Sequence, residues 1–144
     1  MDWIQGDALS LPFRDSQFHV VTVSYGLRNL ANVEQGLREM IRVAQPGGRL
    51  LVLDFGKPRH RWLRAAYFAY LQFWVPLFGR LLCGDAATYG YILESLRQYP
   101  GQDGIAALMQ QSGCERRATL NLLGGMMSIN YGEKPLVVSK FSPA

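Results

Sequence analysis

Three short segments bring polar groups to positions where a folded chain could do chemistry. Asp54 closes the apolar run Arg49-Leu50-Leu51-Val52-Leu53, Gly6-Asp7-Ala8 follows the strand-like residues 2–5, and Ser24-Tyr25-Gly26-Leu27-Arg28-Asn29 follows the β-branched residues 18–23. A carboxylate at the end of a strand can accept hydrogen bonds from a ligand or orient a neighbouring cation. An arginine just past a strand can stabilise negative charge that develops on a bound group. Open α/β sheets bind their ligands at the carboxyl ends of the strands. Three polar strand ends therefore point to one site. A site of this kind normally includes a Gly-rich turn after a first strand, and this sequence has none.

These groups must be positioned by an α/β framework, and the pattern of the chain supplies one. Arg42-Val43-Ala44-Gln45-Pro46-Gly47-Gly48 reads as the end of a helix, a proline stop and a glycine turn before a buried strand. Residues 2–5, 18–24 and 49–55 read as strands, and residues 9–15 as a loop around Leu11-Pro12-Phe13. Residues 32–43 read as a helix with Asn32 as N-cap; its Val33, Leu37, Met40 and Ile41 recur at helical spacing. Residues 60–82 and 88–98 read as aromatic-rich helices, and 102–112 as a helix closed by Gly113. Two late strands, 115–122 and 126–131, are joined through Leu123-Gly124-Gly125. So short a join implies an antiparallel pair, because parallel strands need a long crossover. One domain over residues 1–132 with an irregular tail over 133–144 is the expected organisation.

Composition excludes several classes. The chain has 144 residues, 49% of them hydrophobic and 18% charged, enough for a buried core and unlike a disordered segment. The net charge of +4 is mild. The basic run Lys57-Pro58-Arg59-His60-Arg61-Trp62-Leu63-Arg64 is short and has no matching aromatic platform, so nucleic acid is not expected as a partner. Cys83 and Cys114 have no metal-ligand spacing and read as free thiols in a reducing compartment. His19 lies inside a strand pattern and His60 in a basic run, so neither reads as catalytic. The apolar stretch 65–83 is interrupted by Gln72, Pro76, Gly79 and Arg80, which argues against a membrane span. Met1-Asp2-Trp3 runs directly into a strand-like segment, so no signal peptide is expected. A cytoplasmic chain, peripheral to the inner face of the membrane, is the expected location.

These motifs resemble the ubiquinone/menaquinone biosynthesis C-methyltransferase family of the UbiE type, from about Trp3 to Tyr131. The Leu-Pro-Phe loop and the Pro-Gly-Gly joint are common to many S-adenosylmethionine (SAM) dependent methyltransferases. The Gly26-Leu27-Arg28-Asn29 run and the segment from Tyr89 to Pro100, with Glu94-Ser95 and Arg97 inside it, are narrower. Ala44-Gln45 and Asp54-Phe55-Gly56 stand where the family usually has Leu-Lys and Glu-Phe-Ser. The resemblance implies part of a Rossmann-like class I methyltransferase fold, ending in an antiparallel hairpin. It also implies that the family's first two strand–helix units, about 60 residues, are not represented.

The resemblance gives each polar group a role. Asp7 and Ala8 would meet the adenine of SAM, and Ser24 would contact the same cofactor. Arg28 would stabilise the phenolate of a prenylated benzoquinol or naphthoquinol and orient a water as base, with Asn29 holding the geometry. Other roles stay open. Asp7 could simply cap its turn, Ser24 could close its strand, and Arg28 could form a structural ion pair, with Asp54 as an orienting or network group. Tyr91, Glu94 and Ser95 share a helix face and could line the quinol pocket, with Glu94–Arg97 as an internal salt bridge instead. The basic and aromatic residues 57–82 could contact a membrane surface, wall the pocket, or pack as a cap. The expected function is SAM-dependent C-methylation in quinone biosynthesis, with weak or absent SAM binding and no activity in this chain alone. The rivals are a non-catalytic docking component and a SAM methyltransferase for another lipid-like molecule. A homodimer or a partner chain is an expected way to complete the site.

Overall fold

The computed structural model describes residues 2–83 and 87–136, with the side chains of 82–90 left out of the description. Its elements are β1 (Phe18–Ser24), a 3-10 turn (Leu27–Asn29), α1 (Val33–Val43), β2 (Ala44–Phe55), α2 (Arg61–Ala69), a π-helical turn (Tyr70–Trp74) and α3 (Val75–Cys83). There follow α4 (Ala87–Gln98), α5 (Gly101–Gln111), β3 (Glu115–Leu122), a second 3-10 turn (Leu123–Gly125) and β4 (Met127–Glu133). The strands form one sheet in the order β1-β2-β4-β3. β1 and β2 are parallel, joined through α1, and β4 runs antiparallel to both β2 and β3. The antiparallel pair is the one that the short join predicts.

The sequence explains most of these elements. Asn32 caps α1 by accepting the Gln35 N–H at 3.0 Å. The buried side of α1 carries Leu37, Met40 and Val43. β2 is the central strand: Leu50 and Val52 are fully buried, as its near-continuous apolar run requires. Its register places Val21 beside Leu50 and Val23 beside Val52, on the face that joins the main core. That core takes Leu37 and Met40 from α1, Leu93, Leu96 and Tyr99 from α4 and its end, and Ile105 and Met109 from α5.

Three expectations are corrected. Residues 2–6 form no strand and are exposed; the only pairing nearby is an isolated bridge between Asp7 and Ser10. A strand exists through its ladder of hydrogen bonds, and among the described residues none lies alongside this segment. β2 begins at Ala44, not Arg49, because Pro46-Gly47-Gly48 continues along the sheet as an irregular extension, with the register shifting between Phe18 and Val20. Gly47 sits at φ +73°, a conformation other residues resist. The sheet also holds more of the tail than expected. β4 runs through Glu133, and the Lys134 N–H donates to the Gly48 carbonyl at 2.9 Å while the Gly47 N–H donates to Lys134 at 2.8 Å. Residues 137–144 lie outside the described part. The helical stretch expected over 60–82 is present, with the π turn between its two α-helical parts.

The carboxyl end of β2 is locked to the rest of the fold at Gly56 and Lys57. The Gly56 N–H donates to the Met126 carbonyl at 2.9 Å. Buried Gln102 clasps the next residue from both sides, accepting the Lys57 N–H and donating to the Lys57 carbonyl, each at 2.8 Å. A Cβ at Gly56 would run into the Gly125 carbonyl oxygen and come within 3.0 Å of Gln102 Oε1. Neither is free to retreat. We therefore expect Gly56→Ala to destabilise the fold by about 2–3 kcal/mol, read as a lowered midpoint in urea unfolding with the slope unchanged.

Candidate functional site

The turn after β1 and the end of β2 meet around one buried ion pair. Arg28 and Asp54 lie 3.3 Å apart, their side chains 3% and 1% exposed. Arg28 sits on the 3-10 turn, so its backbone N–H also donates to Asp54, at 3.3 Å. Its Nη1 donates to the Tyr25 carbonyl at 2.7 Å. Asp54 accepts a further bond from the Phe55 N–H at 2.8 Å. Burial pushes the Asp54 carboxyl above its ordinary pKa, against the opposing pull of the Phe55 and Arg28 donors.

Aromatic rings enclose the guanidinium. Its carbon lies 4.9 Å from the centroid of Phe55 and 5.9 Å from that of Tyr91 on α4. Tyr25 packs on Phe55 with centroids 5.1 Å apart. Tyr25 itself sits at φ +53°, the left-handed region that a tyrosine occupies only when its surroundings hold it there. The holding bonds come to its carbonyl oxygen from Arg28 and from Asn29 Nδ2, at 3.3 Å. Tyr67 of α2 and Tyr99, just past α4, feel the same pair. Burial is the first cause that raises both phenols, Tyr67 to about 12, with Asp54 adding to the rise and Arg28 opposing it. Among the described residues, Arg28 Nε is the one buried side-chain polar atom without a hydrogen-bond partner.

A second region adjoins β1. An apolar cleft of about 390 Å³ is lined by Ala8, Leu11, Phe13, Val21, Val23 and Leu27 among others. The loop that covers it is clamped to α1. Glu39 accepts the Leu11 N–H at 2.8 Å, and Arg42 donates to the carbonyls of Phe13 and Leu11 at 2.8 and 3.0 Å. Arg42 also pairs with Glu39 and Asp15, whose hydrogen bonds raise its pKa and, through Arg42, lower that of Glu39. Asp7 is exposed at the mouth of this loop, with Oδ1 accepting the Leu9 N–H at 2.8 Å. That bond is the turn cap anticipated as the alternative role, and it leaves the second carboxylate oxygen free of side-chain or backbone partners among the described residues. Ser24 is exposed at the end of β1 and is not part of the cleft lining.

The structure thus separates the candidates. Arg28 and Asn29 join Asp54 at the aromatic cluster, and Ala8 lines the cleft; Asp7, its exposed neighbour in the chain, and Ser24 are not part of that lining. Tyr91 reaches Arg28, but Glu94 accepts from Gln98 at 2.9 Å and Ser95 donates to the Ile92 carbonyl at 3.1 Å, so the hydrogen bonds of both are local to α4. His19 and His60 are both exposed.

The sequence matches a known family along nearly its whole length. The model of the ubiE/COQ5 methyltransferase family covers residues 1–134. The chain belongs to that family. It is 44% identical over 135 residues to the ubiquinone/menaquinone biosynthesis C-methyltransferase UbiE of Ectopseudomonas mendocina, covering 94% of this chain and 53% of that protein. The UbiE protein of Azotobacter vinelandii is likewise 44% identical, over 133 residues and 53% of its length. The chain therefore spans about half the length of the curated relatives it matches. Among solved structures, a SAM-dependent methyltransferase from Thermotoga maritima aligns with a TM-score of 0.65 at 17% identity, over 91% of this chain and 63% of that one. One from Aquifex aeolicus aligns at 0.58 and 14%, over 92% and 54%. These likenesses establish the Rossmann-like class I methyltransferase fold.

Sequence reasoning missed the aromatic enclosure and the loop clamp. Tyr67 and Tyr99 lie 39 and 71 positions beyond Arg28 in the chain, and only the packing of α2 and α4 brings them near. The Glu39–Arg42 spacing was visible as an i,i+3 pair, but not what it holds. The ion pair predicts a specific pattern of stability. Asp54→Leu leaves a buried guanidinium uncompensated and is expected to cost about 3–5 kcal/mol. The double variant Arg28→Met with Asp54→Leu should recover most of that loss, ending within about 1–2 kcal/mol of the parent. A double-mutant cycle in urea measures both; additive losses would mean that the two groups do not stabilise one another.

Proposed function

We propose that this chain carries the acceptor-activating part of a SAM-dependent C-methyltransferase that acts on a prenylated benzoquinol or naphthoquinol. The observation that carries the reading is Arg28 Nε, buried between Phe55 and Tyr91 and without a hydrogen-bond partner among the described residues. Its charge is already matched by Asp54. What it retains for a ligand is a fixed hydrogen-bond donor whose own nitrogen is out of contact with bulk solvent. A phenolate oxygen is the acceptor that suits it: the flat ring stacks where Tyr91 now lies, and the donor holds the oxygen as its proton leaves to a water. Deprotonation raises electron density at the ring carbon, which is the nucleophile in C-methylation. SAM supplies the electrophilic methyl group when bound. Asn29 keeps the turn in shape through Tyr25, and Asp54 keeps the guanidinium from swinging away.

The residues present suit one end of SAM. Asp7 has a free carboxylate oxygen for the adenine amino group, and Ala8 offers a small side chain in an apolar cleft where a base could lie flat. Ser24 stands at the adjoining strand end. The name of the Ectopseudomonas mendocina and Azotobacter vinelandii relatives, ubiquinone/menaquinone biosynthesis C-methyltransferase, supports the quinol as acceptor.

Two experiments test this. The first titrates S-adenosylhomocysteine by calorimetry into the chain alone and into the chain fused behind the part of the Azotobacter vinelandii relative that it does not span. Binding is expected to be at least about 100-fold tighter in the fusion. Asp7→Asn preserves the turn cap and should weaken the fusion about tenfold through the lost charged acceptor. No binding in the fusion would remove Asp7 and Ser24 from the site, and full affinity in the variant would remove Asp7. The second follows methylation of a prenylated quinol by the fusion. Arg28→Lys keeps a cation but loses the Nε donor, and kcat should fall about 100-fold or more. A kcat within threefold of the parent would exclude Arg28 from the acceptor site.

A further inference from the structure

One surface is absorbed by neither site. Residues 57–83 contain Lys57, Arg59, Arg61, Arg64 and Arg80 and not one Asp or Glu. Within them, α2, the π turn and α3 run on continuously. Their inward side carries Tyr67 and Leu71, which are buried in the core. Their outward side is unusually apolar: Trp62 is 76% exposed, Phe73 66%, Trp74 55% and Leu81 69%. Tyr70, Leu77 and Phe78 are also among the exposed large residues. Trp62, Ala66, Tyr70, Phe73, Leu77 and Leu81 recur every three or four residues and form one stripe along the helix. The spacing is slightly wider than the 3.6 residues of an α-helical turn, and the π turn takes up the difference. Trp74 and Phe78 stack beside the stripe with ring centroids 6.0 Å apart. At the amino end of the stripe, Arg59 pairs with Asp103 at 2.6 Å, while Arg61 and Arg64 meet no carboxylate among the described residues.

We infer that this face docks on the surface of an anionic lipid bilayer, with the aromatic stripe at the acyl boundary and Arg61, Arg64 and Arg80 among the headgroups. The inference does not depend on the reaction proposed above. A contiguous apolar patch of this kind marks an interaction surface. Its chemistry, tryptophan and phenylalanine in the stripe with arginine at the flanks and no acid, is that of a helix lying in the membrane interface. No helix among the described residues is long and apolar enough to cross a membrane, which fits lying on a bilayer and not spanning it. A second copy of the chain is a poorer occupant. A twofold interface would place this all-positive segment against itself, with no acid in it to compensate.

Flotation of the chain with vesicles tests this directly, using phosphatidylcholine alone and phosphatidylcholine mixed with phosphatidylglycerol. The chain is expected to float with the anionic vesicles and much less with the neutral ones, and raised salt should release it. Arg61→Glu with Arg64→Glu should lower the partition at least about 30-fold, since each arginine near a charged leaflet is worth about fivefold. In a Trp3→Phe background, brominated lipids should quench the emission of Trp62 and Trp74. Phe73→Ser with Trp74→Ser should abolish flotation while the circular dichroism and the unfolding midpoint stay at parental values. Three results would overturn the inference. One is equal partition into both vesicle types, and a second is flotation unchanged by the charge reversals. The third is failure to float with the anionic vesicles, whether the chain stays monomeric or light scattering shows it to self-associate through the stripe. Should the Ser variant fail to fold, the charge reversals and the quenching still decide the matter.

Discussion

Two opposite charges are held out of water where the turn after β1 meets the end of β2, and much of the surrounding structure follows from keeping them there. An isolated buried carboxylate or guanidinium is very unfavourable. Asp54 is made tolerable by three donors, the Arg28 side chain, the Arg28 N–H and the Phe55 N–H. Arg28 is held in turn by the Tyr25 carbonyl and by aromatic faces. The carboxyl nonetheless remains above its ordinary pKa, so burial outweighs its partners. Such a pair adds little stability over a well-packed apolar substitute. What it does fix is direction. Arg28 and Asn29 both bond to the one carbonyl that ties down the left-handed Tyr25, so the turn has a single shape.

The remaining elements serve as walls around that joint. β2 lies between β1 and β4, and its end is pinned by Gly125, Met126 and Gln102. α4 brings Tyr91 and the neighbouring Tyr99, while α2 brings Tyr67, whose hydroxyl donates to the Met126 carbonyl at 3.4 Å. Glu39 and Arg42 of α1 hold the loop that lines the apolar cleft together with β1. Two polar clusters thus adjoin one strand. Their common base is β1, whose Val20 is about half exposed and whose outer edge pairs with no strand among the described residues. The far edge of the sheet differs: β3 is exposed along nearly its length and carries Arg116 and Arg117, charges that discourage further pairing.

The framework was legible in the sequence where local rules act alone. The Asn32 cap, the apolar period of α1, the buried run of β2 and the short join before β4 each follow from a handful of neighbouring residues. Residues 2–5 look like a strand by composition yet form none, because a strand depends on a neighbour that composition does not reveal. Arg28 and Asp54 were both recognisable as polar strand-end residues, and a structural ion pair was among the readings open for Arg28. Asp54 as the group that orients Arg28 was open too, and the choice among these readings needs the register of β1 on β2, which sets Ser24 beside Leu53 and so brings the two strand ends together. The aromatic enclosure is the product of helices far along the chain. It becomes visible only when they are packed.

One helical run connects the two halves of this picture. Tyr67 and Leu71 are buried in the core, Tyr67 within the field of the Arg28 pair, while Phe73 and Trp74, just past Leu71, are exposed. Leu71, Phe73 and Trp74 all belong to the π turn. Such widened turns often occur at functional sites, and here it changes the phase of the helix so that both faces can be apolar in the right places. On the reading proposed above, the ligand has a polar ring and a long apolar tail, which need different surroundings at opposite ends. A helix whose inner face borders a buried hydrogen-bond donor, and whose outer face suits a bilayer, meets both needs with one element. The ring would then be held at a donor out of contact with bulk solvent, and the tail need not leave an apolar environment for the ring to arrive there.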